Sequence, residues 1–87
     1  MENEIQVYGA DWCGVTFAVR KHLTNARIPY EYYNVDRDVQ ADEFVTNLGE
    51  GHRRFPLVVV GVLILTSPTL AQLQQALNEE RVLPVSR

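Results

Sequence analysis

The stretch Ile5-Gln6-Val7-Tyr8-Gly9-Ala10-Asp11-Trp12-Cys13-Gly14-Val15-Thr16-Phe17-Ala18-Val19 decides the fold. Ile5 to Tyr8 alternate in β-favouring types and stop at Gly9, which predicts a short strand. Val15, Val19, Leu23 and Ala26 then recur at near-helical spacing, with Arg20, Lys21 and Asn25 off that stripe. The apolar period therefore switches from strand to helix across a short turn, and an amphipathic helix begins just after Cys13.

Pro29 is expected to end that helix, and Tyr30 to Val35 is rich in strand formers. Asp36-Arg37-Asp38 offers two candidate helix caps, after which Ala41, Phe44, Val45 and Leu48 fall on one helical face, with Asp42 and Glu43 near the start and Gly49 as the stop. Leu57–Val60 and Val62–Thr66 flank Gly61 as an antiparallel hairpin whose two strands are expected to be central or well covered. Ser67 then places a capping hydroxyl before Pro68 at the first helical position, and Leu70, Leu73 and Leu77 supply one face of a closing helix. Residues 84–87 are expected to fray. The order is β-α-β-α-β-β-α. A right-handed crossover makes the first two strands parallel, the hairpin adds antiparallel strands, and helices cover both faces. The fold class is α/β, a four-stranded mixed sheet flanked by three helices.

At 87 residues the chain, 1–87, is expected to be a single domain. Apolar residues at 46% and charged residues at 22% are ordinary for a folded protein. A net charge of −3 without a long basic block argues against a nucleic-acid partner. The longest apolar run, broken at Gly61, is about half of a membrane span, so no membrane partner is expected. Met1-Glu2-Asn3-Glu4 is acidic and no apolar signal region follows, which places the protein in the cytoplasm.

One cysteine cannot form an internal disulfide, so Cys13 is either a buried filler or a reactive thiol. Free N–H groups and the dipole at a helix start favour an anion, and thiols there ionise below their usual pKa; Asp11, two residues away, opposes the shift. The competing reading is a small hydrophobe packed at a helix end. His22 lies over two turns along the helix from Cys13 and reads as a surface residue. Trp12 and Tyr8 flank the thiol, either shielding it or belonging to the core.

Val7-Tyr8 leading into Trp12-Cys13-Gly14-Val15-Thr16, Phe55-Pro56 before the third strand, and Leu65-Thr66-Ser67-Pro68-Thr69 before the last helix together resemble the glutaredoxins, over roughly residues 4 to 80. Ala26 to Tyr30 and Val35 to Asp38 resemble that family's connection to the second strand. The Trp-Cys-Gly motif is most like the actinobacterial mycoredoxin-like branch. Thr16 stands where dithiol members carry a second cysteine, so the chain has no resolving thiol; Cys13-Gly14-Val15-Thr16 is similar to the Cys-Gly-Phe-Ser of monothiol glutaredoxins. That branch commonly holds a [2Fe–2S] cluster between two subunits, but the basic residue it carries before the cysteine is absent from Tyr8-Gly9-Ala10-Asp11.

The resemblance implies a thioredoxin-like fold and a thiol-disulfide oxidoreductase. In it Cys13 is the nucleophile of a monothiol route, and Thr16 donates a hydrogen bond to the thiolate. It implies glutathione or mycothiol as co-substrate, thiolated proteins as partners, and a monomer. Small-thiol contacts fall to Trp12, Gly14, Val15, Arg53, Arg54, Phe55, Pro56, Ser67, Pro68 and Thr69. Pro56 aligns with the family's cis-proline; read alone, it also suits a trans proline opening a strand. Phe55 is bulkier than the usual valine and Arg54 replaces a common threonine. His52-Arg53-Arg54 is the one basic cluster, suited to a thiol's carboxylates or simply a solvated loop balancing Glu50. The alternatives are a non-catalytic [2Fe–2S] carrier bridged through Cys13 in a dimer, or a binding domain that has lost turnover.

Overall fold

The computed structural model describes residues 5–84; the acidic start at residues 1–4 and the last part of the expected frayed end, 85–87, lie outside them. The elements run β1 (Ile5–Gly9), α1 (Gly14–Asn25), β2 (Glu31–Asn34), α2 (Val39–Leu48), β3 (Leu57–Val60), β4 (Leu63–Thr66) and α3 (Leu70–Glu79). The sheet order is β2-β1-β3-β4, with β1 parallel to β2 and both other pairings antiparallel. This is the expected three-helix, four-stranded mixed sheet of the thioredoxin-like fold.

Strand alternation sends side chains to two cores. Ile5, Val7, Val58 and Val60 pack with Val19 and Leu23 of α1 and Leu73, Ala76 and Leu77 of α3. Leu57 joins Ala10 and Val35 under Ala41 and Val45 of α2, where Tyr8 stacks on Tyr33 at 4.9 Å and meets Phe44 at 4.7 Å. Register then decides where the functional loops meet. Tyr8 pairs with Leu57, and Leu57 with Thr66. The chain leaving β1, the chain entering β3 and the chain leaving β4 therefore emerge at one end of the sheet.

The helix ends explain several departures from the sequence reading. α1 stops at Asn25, before Pro29: Arg27 takes φ 61, its N–H donates to the Thr24 carbonyl, and the Ile28 N–H donates to that of Leu23 at 2.9 Å. This satisfies the last carbonyls and packs Ile28 into the same core as Leu23. The other two helices close in the same way, with Glu50 at φ 55 and Arg81 at φ 57 in the left-handed position. At the start of α3 the cap is Thr69, not Ser67, and Pro68 precedes the helix. The Thr69 hydroxyl accepts from the Gln72 N–H at 3.0 Å while the Gln72 side chain accepts from the Thr69 N–H at 2.9 Å, a reciprocal pair that Ser67 cannot form.

Three other expectations are corrected. β4 is an edge strand with alternating half-buried and exposed residues, because among the described residues it pairs with β3 alone. Val15 is exposed because the buried face of α1 is the one that carries Thr16, Val19 and Leu23, with Thr16 packed against Gly9 of β1 and Val15 at the flank of that face. Leu70 is 45% exposed, and Ala76 completes the inner face of α3 in its stead. Among the described residues no helix is long and apolar enough to cross a membrane.

The contrast between two leucines of α3 tests this packing. Leu73 is fully buried, so Leu73→Ala is expected to cost about 2–5 kcal/mol in urea unfolding. Leu70→Ala, at a half-exposed site, is expected to cost under ~1 kcal/mol. Equal losses would contradict the assigned face.

Candidate active site

Cys13 occupies the cap position of α1 with φ −86 and ψ 122. Its N–H donates to the Ala10 carbonyl at 3.1 Å, and its own carbonyl accepts from the Phe17 N–H at 3.0 Å. These bonds close the turn after β1 and leave the thiol, half-buried, over the open N–H groups of the first helical turn. Thr16 sits one turn further in and is 1% exposed. Its Oγ1 accepts a long bond from the Ala10 N–H at 3.4 Å. With that lone pair occupied, the hydroxyl proton is left available to a thiolate at Cys13. Gly9 makes room for the arrangement, since a Cβ at that position would overlap Thr16 Oγ1.

Trp12 is 71% exposed, yet it is fixed: its Nε1 donates to Asp36 Oδ2 at 2.8 Å, and its ring meets Phe55 edge-on at 5.7 Å. Tyr8 is instead half-buried in the aromatic stack beneath α2. The Phe55–Pro56 peptide is cis, and Pro56 is buried. Ser67, in the left-handed region at φ 46, donates its N–H to the Pro56 carbonyl at 2.7 Å and so ties the β4–α3 loop to the proline loop. Arg53 reaches across to two carboxylates, Asp42 Oδ1 from Nε at 2.7 Å and Asp36 Oδ1 from Nη2 at 3.2 Å. Its guanidinium carbon lies 5.5 Å from the Phe55 ring centre. Arg54 is not part of that cluster; with His52 and Glu50 it lines a cavity of about 510 Å³ between the end of α2 and the β3–β4 pair. His22 bonds to Gln74 of α3 at 2.9 Å, far along α1 from the thiol.

Residues 5–64 match the family model for glutaredoxin. The chain belongs to the glutaredoxin family. Two candidate glutaredoxins of Mycobacterium tuberculosis are each 32% identical over 54 residues, a match spanning 62% of this chain and 64% of the relative. Among solved structures, a thioredoxin-like protein superposes with TM-score 0.76 at 26% identity, covering 85% of this chain and 94% of that one. A buckwheat glutaredoxin in complex with glutathione gives 0.71 at 21% identity over 93% and 82% of the chains. The glutaredoxin of Archaeoglobus fulgidus gives 0.71 at 16% over 86% of each. The last two likenesses concern the fold alone.

In this glutaredoxin the Cys13 thiol is held below its ordinary pKa. Burial pushes it up, but the Thr16 hydroxyl and the N–H groups of Thr16 and Val15 favour the thiolate by more. The neutral thiol makes no full cap bond, so these groups act chiefly on the anion. Asp11 is turned aside: the Tyr32 hydroxyl donates to its Oδ1 at 2.9 Å, Arg20 lies 3.8 Å over the Tyr32 ring, and burial together with Asp11 pushes the Tyr32 phenol up to about 12. Asp36 is held below the usual carboxylate range, first by the Trp12 indole and then by Arg53.

The structure gathers Trp12, Cys13, Thr16, Arg53, Phe55 and Pro56, with Ser67 tied to Pro56, while Arg54 faces the neighbouring cavity. Gly14 and Val15 form the exposed first turn of α1, beside Phe17 at 63% exposure. Thr69 is bound by its capping role and Pro68 is buried. Sequence reading misses two residues of this cluster: local sequence marks Asp36 only as a candidate cap and Asp42 only as first-turn charge. Asp38 is the actual cap of α2, accepting from the Ala41 N–H at 3.1 Å. No local spacing signals that Asp36 meets Trp12 and Arg53.

Iodoacetamide alkylation of Cys13 is expected to have a midpoint below the free-thiol value of about 8.5. Thr16→Val is expected to move it up. Because the folded pKa is lowered, thiolate stabilisation of the fold is complete above the unfolded pKa and is lost as pH falls through the folded one. The stability gap between wild type and Cys13→Ser should therefore grow as pH rises across that window.

Proposed function

We propose that this protein is a monothiol glutaredoxin that reduces mixed disulfides between proteins and a small thiol, glutathione or mycothiol. The observation that carries this reading is the half-buried Cys13, whose thiolate is favoured by Thr16 and the start of α1 while no second cysteine stands nearby. Thiolate is the attacking species, and a low-pKa thiol is also the better leaving group when the enzyme is regenerated.

In the first step the Cys13 thiolate attacks the small-thiol sulfur of protein–S–S–R. The new Cys13–S–S–R bond forms as the old bond breaks, and the protein leaves as a thiolate that takes a proton from solvent. A second RS⁻ then attacks the R sulfur of Cys13–S–S–R, giving R–S–S–R and restoring the Cys13 thiolate. Thr16 has no sulfur to resolve the intermediate and acts through its hydroxyl. Trp12, Phe55 and Pro56 flank the bound thiol, with Gly14 and Val15 on the helix side and Ser67, Pro68 and Thr69 beyond the proline. Arg53 and Arg54 are the cations of that loop, and their carboxylate neighbours determine how open each is to an anionic ligand. We read the chain as one domain, monomeric and cytoplasmic. The glutathione complex of the buckwheat protein supports a small-thiol groove in this fold.

Cys13→Ser is expected to abolish turnover of a mixed-disulfide substrate, assayed in parallel with glutathione and mycothiol, with the circular-dichroism spectrum unchanged. Undiminished activity in that variant would overturn the mechanism. Inactive wild-type protein that turns brown on anaerobic reconstitution would favour the [2Fe–2S] carrier, and inactivity without colour would favour a binding domain.

A further inference from the structure

Arg53, the cation that meets the Phe55 face of the Cys13 site, is already answered. Arg53 directs Nε to Asp42 and Nη2 to Asp36, and the second oxygen of Asp36 is taken by the Trp12 indole. The ion-paired side chains are 43% exposed for Arg53 and 40% for each aspartate, so they lie open to a ligand and to salt. A thiol joined to Cys13 that carried a carboxylate toward Arg53 would have to displace an aspartate or lie against two negative charges. A thiol presenting hydroxyl or amide donors would instead meet carboxylate oxygens, which only accept.

We infer that Asp36 and Asp42 are specificity-determining residues: by holding Arg53 they turn the Trp12–Phe55 wall from an anion-binding surface into a donor-accepting one, so that uncharged small thiols are preferred on Cys13 over carboxylate-bearing ones. This rests on the proposed thiol chemistry of Cys13. Asp42 is the cleaner of the two to alter, because among the described residues its side chain bonds to Arg53 alone, whereas Asp36 also positions Trp12.

The test compares glutathione disulfide with its carboxylate-esterified form, probes that share a scaffold and differ in charge. Equilibrium formation of the Cys13 mixed disulfide is read by intact mass, which needs no turnover. Wild type is expected to favour the ester. Asp42→Asn should shift the ratio toward the free acid by up to about fivefold, the upper end of an exposed ion pair's coupling, and the shift should shrink at high salt. Glu43→Gln, which removes the same charge from an exposed position on α2, should leave the ratio unchanged. A wild-type preference for the free acid, or equal ratios in Asp42→Asn and Glu43→Gln, would overturn the inference while leaving the thiol chemistry standing. Failure of both probes to form a mixed disulfide would overturn the proposed function, and this inference with it.

Discussion

Thr16 is held where β1 gives way to α1, and the thiol site depends on how its buried hydroxyl is satisfied. A buried hydroxyl needs a partner. Here the Ala10 N–H supplies one, and the remaining proton is left for the Cys13 sulfur. Positions 9, 10, 13 and 16 are thereby coupled: Gly9 has to lack a side chain so that Thr16 can sit against the strand, and Thr16 has to sit there for the thiolate to be favoured. The position that would hold a resolving sulfur in a dithiol motif carries an activating group instead.

The second constraint is register. Because Tyr8 lies opposite Leu57 and Leu57 opposite Thr66, the loops bearing Cys13, Pro56 and Ser67 meet at one end of the sheet without any of them being long. Asp36 then links three separate parts of the chain, the turn before α1, the loop before β3 and the approach to α2, by accepting from both Trp12 and Arg53. Of the two rings of the wall, Phe55 is partly buried against the second core and Trp12 is exposed. The bond to Asp36 and the edge-on contact with Phe55 hold Trp12 despite its exposure.

Departures from the sequence reading share a cause. Val15 and Leu70 carry a spacing compatible with an inner face but sit at its flank, where Thr16 in α1 and Ala76 in α3 are the residues buried with their neighbours. Periodicity reports which residues share a face, not where the neighbouring layer centres on it. Ser67 before Pro68 has the composition of a cap, yet the helix starts where Thr69 and Gln72 can bond reciprocally. The end of α2 at Gly49 was legible in the sequence, but that of α1 was not: all three helices close through a charged residue in the left-handed conformation, Arg27, Glu50 and Arg81, and α1 does so before Pro29.

The sequence by itself determined the order of elements, the mixed sheet and the placement of a lone thiol at a helix start, because strand alternation, helical spacing and caps act between residues only a few positions apart. It also carried the glutaredoxin motifs. Only the tertiary structure decided that β4 is an edge, that Arg53 and Arg54 face different surroundings, and that Asp36 and Asp42 belong to the site. Those outcomes depend on which distant groups the sheet order brings within hydrogen-bond reach. A carboxylate 24 residues from Trp12 carries no local mark of the partner it will find.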